Sequence, residues 1–191
     1  MSFASSLRTE KDVIARIPFP NAGPRNLFTK SEVATMDFVR SRLGAPVPKV
    51  LAWDASPDNN VGCDYIIVEK CEGPALYDRM DAISESSCYP SDIAKLMCSL
   101  ATIPFSQYGS IYYKEDVDPQ LQARPLYAEG GQQDGSSERF RIGPSVEHRF
   151  YRGELARMAI DRGPCKIFLY PLSRCYIIHR EGYPRLHQGC R

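Results

Sequence analysis

Pro18, Pro20, Gly23 and Pro24 constrain this chain most, because they allow no regular structure between two stretches of opposite period. Before them, Asp12-Val13-Ile14-Ala15-Arg16-Ile17 alternates and is rich in β-branched residues, which predicts a strand. After them, Thr29 and Glu32 have the spacing of a capping box. Val33, Met36, Val39 and Leu43 then recur at helical spacing until Gly44. A strand ending on a cation, a loop, and a helix opening on a carboxylate follow from this pattern.

Pro46-Val47-Pro48 leads into a second strand, Lys49-Val50-Leu51-Ala52-Trp53, and Ser56-Pro57-Asp58-Asn59-Asn60 makes a turn. Tyr65-Ile66-Ile67-Val68-Glu69 is a third strand, and its largely apolar run predicts burial on both faces. After Gly73-Pro74 the character changes. A short helix is expected over residues 75–82. A longer one, capped by Ser91, runs through Ile93, Leu96, Leu100 and Ile103 to Pro104. Residues 106–113 form an ordered loop or short strand. Residues 128–138 are rich in Gly, Gln, Ser and Asp and predict a flexible connection. Residues 147–160 have a helical pattern, whereas Cys165 to Arg191 has no regular period, and no internal repeat is visible.

The size, 191 residues, suits one domain or two small lobes. Hydrophobic residues at 43% and charged residues at 25% are ordinary for a folded globular protein and argue against wholesale disorder. A formal net charge of +1, without a Lys/Arg block, gives no electrostatic footprint for nucleic acid. No apolar run is long enough to span a bilayer. Met1 to Arg8 lacks a basic region followed by an apolar core, so no secretory signal is expected there. The seven cysteines are irregularly spaced and contain no Cys-x-x-Cys, which suggests reduced thiols in an intracellular protein. The three histidines do not fall at ligand spacing with any cysteine pair, so no zinc site is expected.

Several blocks share a pattern. They are Val13 to Pro20, Ser31-Glu32-Val33-Ala34-Thr35-Met36, Pro46 to Leu51, Tyr65 to Glu69 with Glu72-Gly73, Phe105 to Tyr113, and Asp161-Arg162-Gly163-Pro164. Together they resemble the fungal aminoglycoside phosphotransferase-like family, a relative of choline kinases and protein kinases, over roughly residues 12 to 165. The resemblance implies an α+β, protein-kinase-like two-lobe fold, here incomplete. Residues 1–69 would be a partial N-terminal lobe of strand, helix, strand and strand. Residues 70–191 would be a partial helical second lobe with a divergent tail at 166–191. It also implies transfer of the γ-phosphate of ATP, with magnesium, to a small-molecule hydroxyl, and it suggests a mitochondrial location.

The resemblance carries roles to four residues. Arg16 would pair the nucleotide's phosphates and be oriented by Glu32. Its planar fork can grip a phosphate bidentately, but it stands where kinases usually place lysine. The Glu69 carbonyl and the Cys71 amide would hold the adenine edge. The same residues also read blandly, as a strand-edge Arg, a capping Glu and a strand ending at a Gly-Pro turn.

Other parts of the family pattern are missing. No glycine lies ahead of Val13, and the residues there are too few for the phosphate-covering loop with its two strands. The strand at 12–17 is then expected at a sheet edge, where it would promote association. His148, His179 and His187 are not followed by the Asp and Asn of a catalytic segment, and Ile177-Ile178-His179-Arg180-Glu181 resembles one only by coincidence. No catalytic or metal-binding residue is therefore assigned. The expectation is a member of that family that is inactive in this form, with a nucleotide as a candidate ligand, and a non-catalytic kinase-like binding module or a truncated gene product as the alternatives. The residues do not identify a protein partner.

Overall fold

The computed structural model describes residues 2–6, 12–19, 24–74, 78, 89–131 and 134–165. Strand β1 (Ser2–Ser6) pairs antiparallel with β2 (Asp12–Arg16), with Ser2 opposite Arg16. The proline cluster ends β2. Helix α1 (Arg25–Leu43) follows, then β3 (Val50–Asp54) and β4 (Tyr65–Glu69). The four strands form an antiparallel sheet in the order β1-β2-β4-β3. The strand at 12–16 is therefore flanked on both sides. The expected edge is corrected: β1 and β3 are the edges, and a strand does precede Asp12.

Helix α1 starts earlier than the capping-box pattern suggests. Its N-cap is Pro24, which has no side chain able to accept a hydrogen bond. Thr29 lies one turn inside, wholly buried, and its Oγ1 donates to Asp64 Oδ2 at 3.0 Å. The hydroxyl thus anchors the helix to the turn before β4 instead of capping it. The C-terminal stop is where the sequence places it, with Gly44 in the left-handed conformation at φ 63°.

β4 also differs from expectation. Ile66 and Val68 are buried, while Tyr65, Ile67 and Glu69 are only partly covered. A strand with neighbours on both sides still buries one face when a single helix covers it. Val33 of α1 packs there on Ile66 and Val68, with Ile14, Met36, Val50 and Trp53 around them.

Another side of α1 belongs to the second half of the chain. Helix α2 (Tyr89–Ala101) starts two residues before Ser91, which is therefore not its cap. Strands β5 (Ser110–Tyr113) and β6 (Phe140–Gly143) form an antiparallel pair. Ala34 and Phe38 of α1 pack with Ile111, Leu126, Tyr127, Phe140 and Ile142. The Phe38 and Phe140 rings meet edge to face at 5.4 Å. Helix α3 (Pro119–Gln122) is short. Within 128–138, expected as a flexible connection, Asp134 caps α4 (Gly135–Arg139) by accepting from the Ser136 amide at 2.9 Å.

The helix expected over 147–160 is absent. A 3-10 turn at His148–Tyr151 gives way at Gly153, whose φ is 56°. Beyond it, Arg162 Nη2 donates to the carbonyls of Phe150, Leu155 and Met158 at 3.3, 3.1 and 3.4 Å. A guanidinium gathers carbonyls that a helix would have bonded itself.

The chain is thus mixed α and β, with small sheets and few helices among its described residues. Among the described residues of its second part, helices α2, α3 and α4 stand beside the β5–β6 pair. None of these helices is long and apolar enough to cross a membrane. Cys63, Cys71 and Cys98 are free thiols. Most of the helix expected at 75–82 and most of the 165–191 tail, with its His179 segment, lie outside the described residues.

Candidate functional site

Residue alternation along β2 decides which way Arg16 faces. Ile14 and Arg16 lie opposite Val68 and Ile66 of β4, on the face that α1 covers. Arg16 therefore reaches the helix, and its Nη1 lies 2.5 Å from Glu32 Oε1. The Arg16 side chain is 44% exposed and that of Glu32 21%. The carboxylate is partly enclosed and orients a guanidinium that still presents donors to solvent. Such an arrangement can bind an anion, and phosphate matches the planar fork.

Glu69 and Cys71 lie elsewhere. Glu69 is opposite Val13, at the other end of the β2–β4 pair, about 10 Å along the strand from Arg16 at 3.4 Å per residue. Its amide donates to the Lys49 carbonyl at 3.0 Å, and its Oε2 accepts from the Lys49 amide at 3.1 Å. Cys71 follows the strand and is exposed. The structure thus joins Arg16 to Glu32 and sets Glu69 at the other end of the strand pair, with Cys71 two residues beyond it.

Glu32 also lines a cavity of about 890 Å³, mostly apolar, between α1 and the segment Leu100–Ile111. Phe28, Met36, Phe105 and Tyr108 contribute to its wall. This cavity was not foreseen. Phe28, Glu32 and Met36 recur every four residues, the spacing of one helix face, and that was the available signal.

A second network went unnoticed because its members are far apart in sequence. The Tyr113 hydroxyl donates to Asp37 Oδ2 at 2.8 Å, and Arg139 pairs with the same oxygen. Burial, and then the Asp37 carboxylate it bonds to, push the Tyr113 hydroxyl well above the usual tyrosine range. Tyr113 therefore stays a neutral donor that ties α1 to β5.

Comparison with known proteins adds ancestry to this geometry. A subtelomeric hrmA-associated cluster protein of Aspergillus fumigatus is 39% identical over 173 residues, 90% of this chain and 31% of the relative. Altered inheritance of mitochondria protein 9 of Candida tropicalis is 33% identical over 159 residues, 78% of this chain and 26% of the relative. Its Debaryomyces hansenii namesake is 34% identical over 160 residues, 78% and 25% respectively. These homologues are fungal. The chain spans under a third of the length of each of these curated relatives. No protein-family model matches it, and no solved structure matches it. The phosphotransferase family therefore rests on the resemblance of short blocks alone.

Proposed function

We propose that this chain carries the nucleotide-holding part of an aminoglycoside phosphotransferase-like, kinase-like fold and binds ATP without transferring its phosphate. The observation that supports this best is the Arg16–Glu32 ion pair between β2 and α1. A cation held by a helix carboxylate beside a small antiparallel sheet suits the β- and γ-phosphates. The exposed backbone beyond Glu69, at Cys71, suits the adenine edge. Residues 1–69 are then a partial first lobe and residues 70–191 a partial second lobe with a divergent tail at 166–191, and α1 of the first packs against β5 and β6 of the second.

The fit differs for the two parts of the cofactor. Arg16 has the chemistry to grip phosphate. Magnesium wants several oxygen ligands, and the Glu32 carboxylate beside Arg16 is engaged by the guanidinium. No step is therefore assigned to the metal. The name of the Candida tropicalis relative calls that protein mitochondrial. We extend an intracellular, mitochondrial location to this chain on that similarity.

Calorimetric titration of the purified chain with Mg-ATP and with adenosine tests the assignment. Arg16→Ala should weaken Mg-ATP at least tenfold and leave adenosine unchanged, since only the phosphates meet the guanidinium. Equal Mg-ATP affinity in both proteins would remove Arg16 from the site. Phosphate transfer to any acceptor would overturn the non-catalytic assignment.

A further inference from the structure

A second, smaller concavity of about 350 Å³ lies between α1, the edge strand β3, the end of β5 and the end of α4. It contains none of Arg16, Glu32, Glu69 or Cys71. Its walls combine three cations, Arg40, Lys49 and Arg139, with one carboxylate, Asp37. Asp37 already receives the Tyr113 hydroxyl and Arg139. Counting the nearby Glu69 carboxylate, which accepts from the Lys49 amide, the cations still outnumber the acids.

Two of the cations are held in place before any ligand arrives. Arg40 Nη1 donates to the Val47 carbonyl at 2.6 Å. The Arg139 guanidinium lies 5.0 Å from the centre of the Phe140 ring. The remaining wall is aromatic, with Trp53 stacked on Tyr113 at 6.4 Å and an interplanar angle of 23°, and Tyr113 in turn on Phe140 at 5.4 Å and 22°. Leu51, 48% exposed, adds apolar surface at the rim.

From this combination we infer that the cavity binds an aryl phosphate, a single planar ring carrying a dianionic group. The ring lies beside Trp53, at the end of the Trp53–Tyr113–Phe140 stack, and the phosphate takes the guanidinium and ammonium donors. The volume is at the small end of ligand sites and suits one ring, not a nucleotide. The assignment is independent of the ATP site. An aryl phosphate has two natural sources, a free metabolite or the phosphotyrosine of another protein, and both present the same group.

Trp53 is the sole tryptophan of the chain, so its fluorescence reports on this wall directly. Titration of the full chain with phenyl phosphate should give a saturable change. Phenol and inorganic phosphate, each carrying half of the recognised group, should bind at least tenfold more weakly. Arg139→Gln should weaken phenyl phosphate at least tenfold. Lys49→Gln, at an exposed position, should do the same and does not depend on the Arg139 variant folding. Arg16→Ala should leave this binding unchanged. A phosphotyrosine tripeptide binding more tightly than phenyl phosphate identifies a protein source, and weaker binding identifies a free one. A non-saturable change, phenol binding as well as phenyl phosphate, or unchanged affinity in Lys49→Gln would each overturn the assignment.

Discussion

Strands β2, β3 and β4 on one side and residues 105–165 on another both pack against α1, yet they are held together by different means. In the first region, strands pair along their length and one helix covers them, so the polar backbone groups of the sheet bond within its ladders. In the second, β5 and β6 pair over four residues each, and side chains supply much of the remaining satisfaction. Buried Arg141 donates to the carbonyls of Gln122, Ser137 and Phe140, and Tyr112 donates to the carbonyl of Pro144 at 2.8 Å. Regular hydrogen bonding announces itself through periodicity. Bonding by individual side chains leaves no period to read.

The largest expected effect tests whether α1 unites the two regions. Phe38 is wholly buried in the core shared with Phe140, Leu126 and Ile142. Phe38→Ala should cost about 3–5 kcal/mol in urea unfolding. Ile66→Val, on the sheet side, should cost only about 0.5–1.5 kcal/mol. A cost below that of Ile66→Val would mean that the second core does not support the first.

The next effect isolates the bonding that has no period. Arg141→Met keeps much of the apolar stem but removes every donor. The carbonyls of Gln122, Ser137 and Phe140 then lose a partner inside the protein. A loss of about 2–3 kcal/mol is expected, since each buried unsatisfied group costs about 1–3 kcal/mol and water can reach some of them. Hydrogen exchange should rise at β6 and α4 before it rises in β4. Uniform acceleration across both sheets would show one cooperative unit, and the contrast drawn between the regions would fail.

These two tests mark where the sequence is legible. β2, the body of α1, its stop at Gly44 and β4 could all be read, because period and punctuation agree there. The start of α1 differs because Thr29 and Glu32 have the spacing of a cap, whereas their partners are distant in sequence, Asp64 in the turn before β4 and Arg16 in β2. The strand ahead of Asp12 was missed because Ser2-Phe3-Ala4-Ser5-Ser6 is mostly small and polar and gains its ladder only from β2. β6 was missed because Phe140-Arg141-Ile142-Gly143 buries every residue, arginine included, so no alternation marks it. Of the candidate site, the pairing of Arg16 with Glu32 was legible, because both faces follow from simple periods. The cavity beside Glu32 and the Tyr113–Asp37–Arg139 network were not, because they exist only once distant segments meet.

The smallest expected effect bears most directly on function. An ion pair whose arginine is 44% exposed contributes little to folding, about 1 kcal/mol or less. A double-mutant cycle with Arg16→Ala and Glu32→Ala, read by urea unfolding, should therefore give a coupling energy within that bound. The bland account of the pair, as a brace between β2 and α1, needs the opposite. A brace earns its place through stability, so removing either partner should unfold the junction and the coupling should approach 3 kcal/mol, as in buried pairs. A guanidinium aimed by a carboxylate for a ligand needs only correct placement, and its cost should appear when phosphate is present. Weak coupling in the free chain that strengthens under saturating Mg-ATP would separate placement from bracing, since a ligand stabilises only the state that it binds.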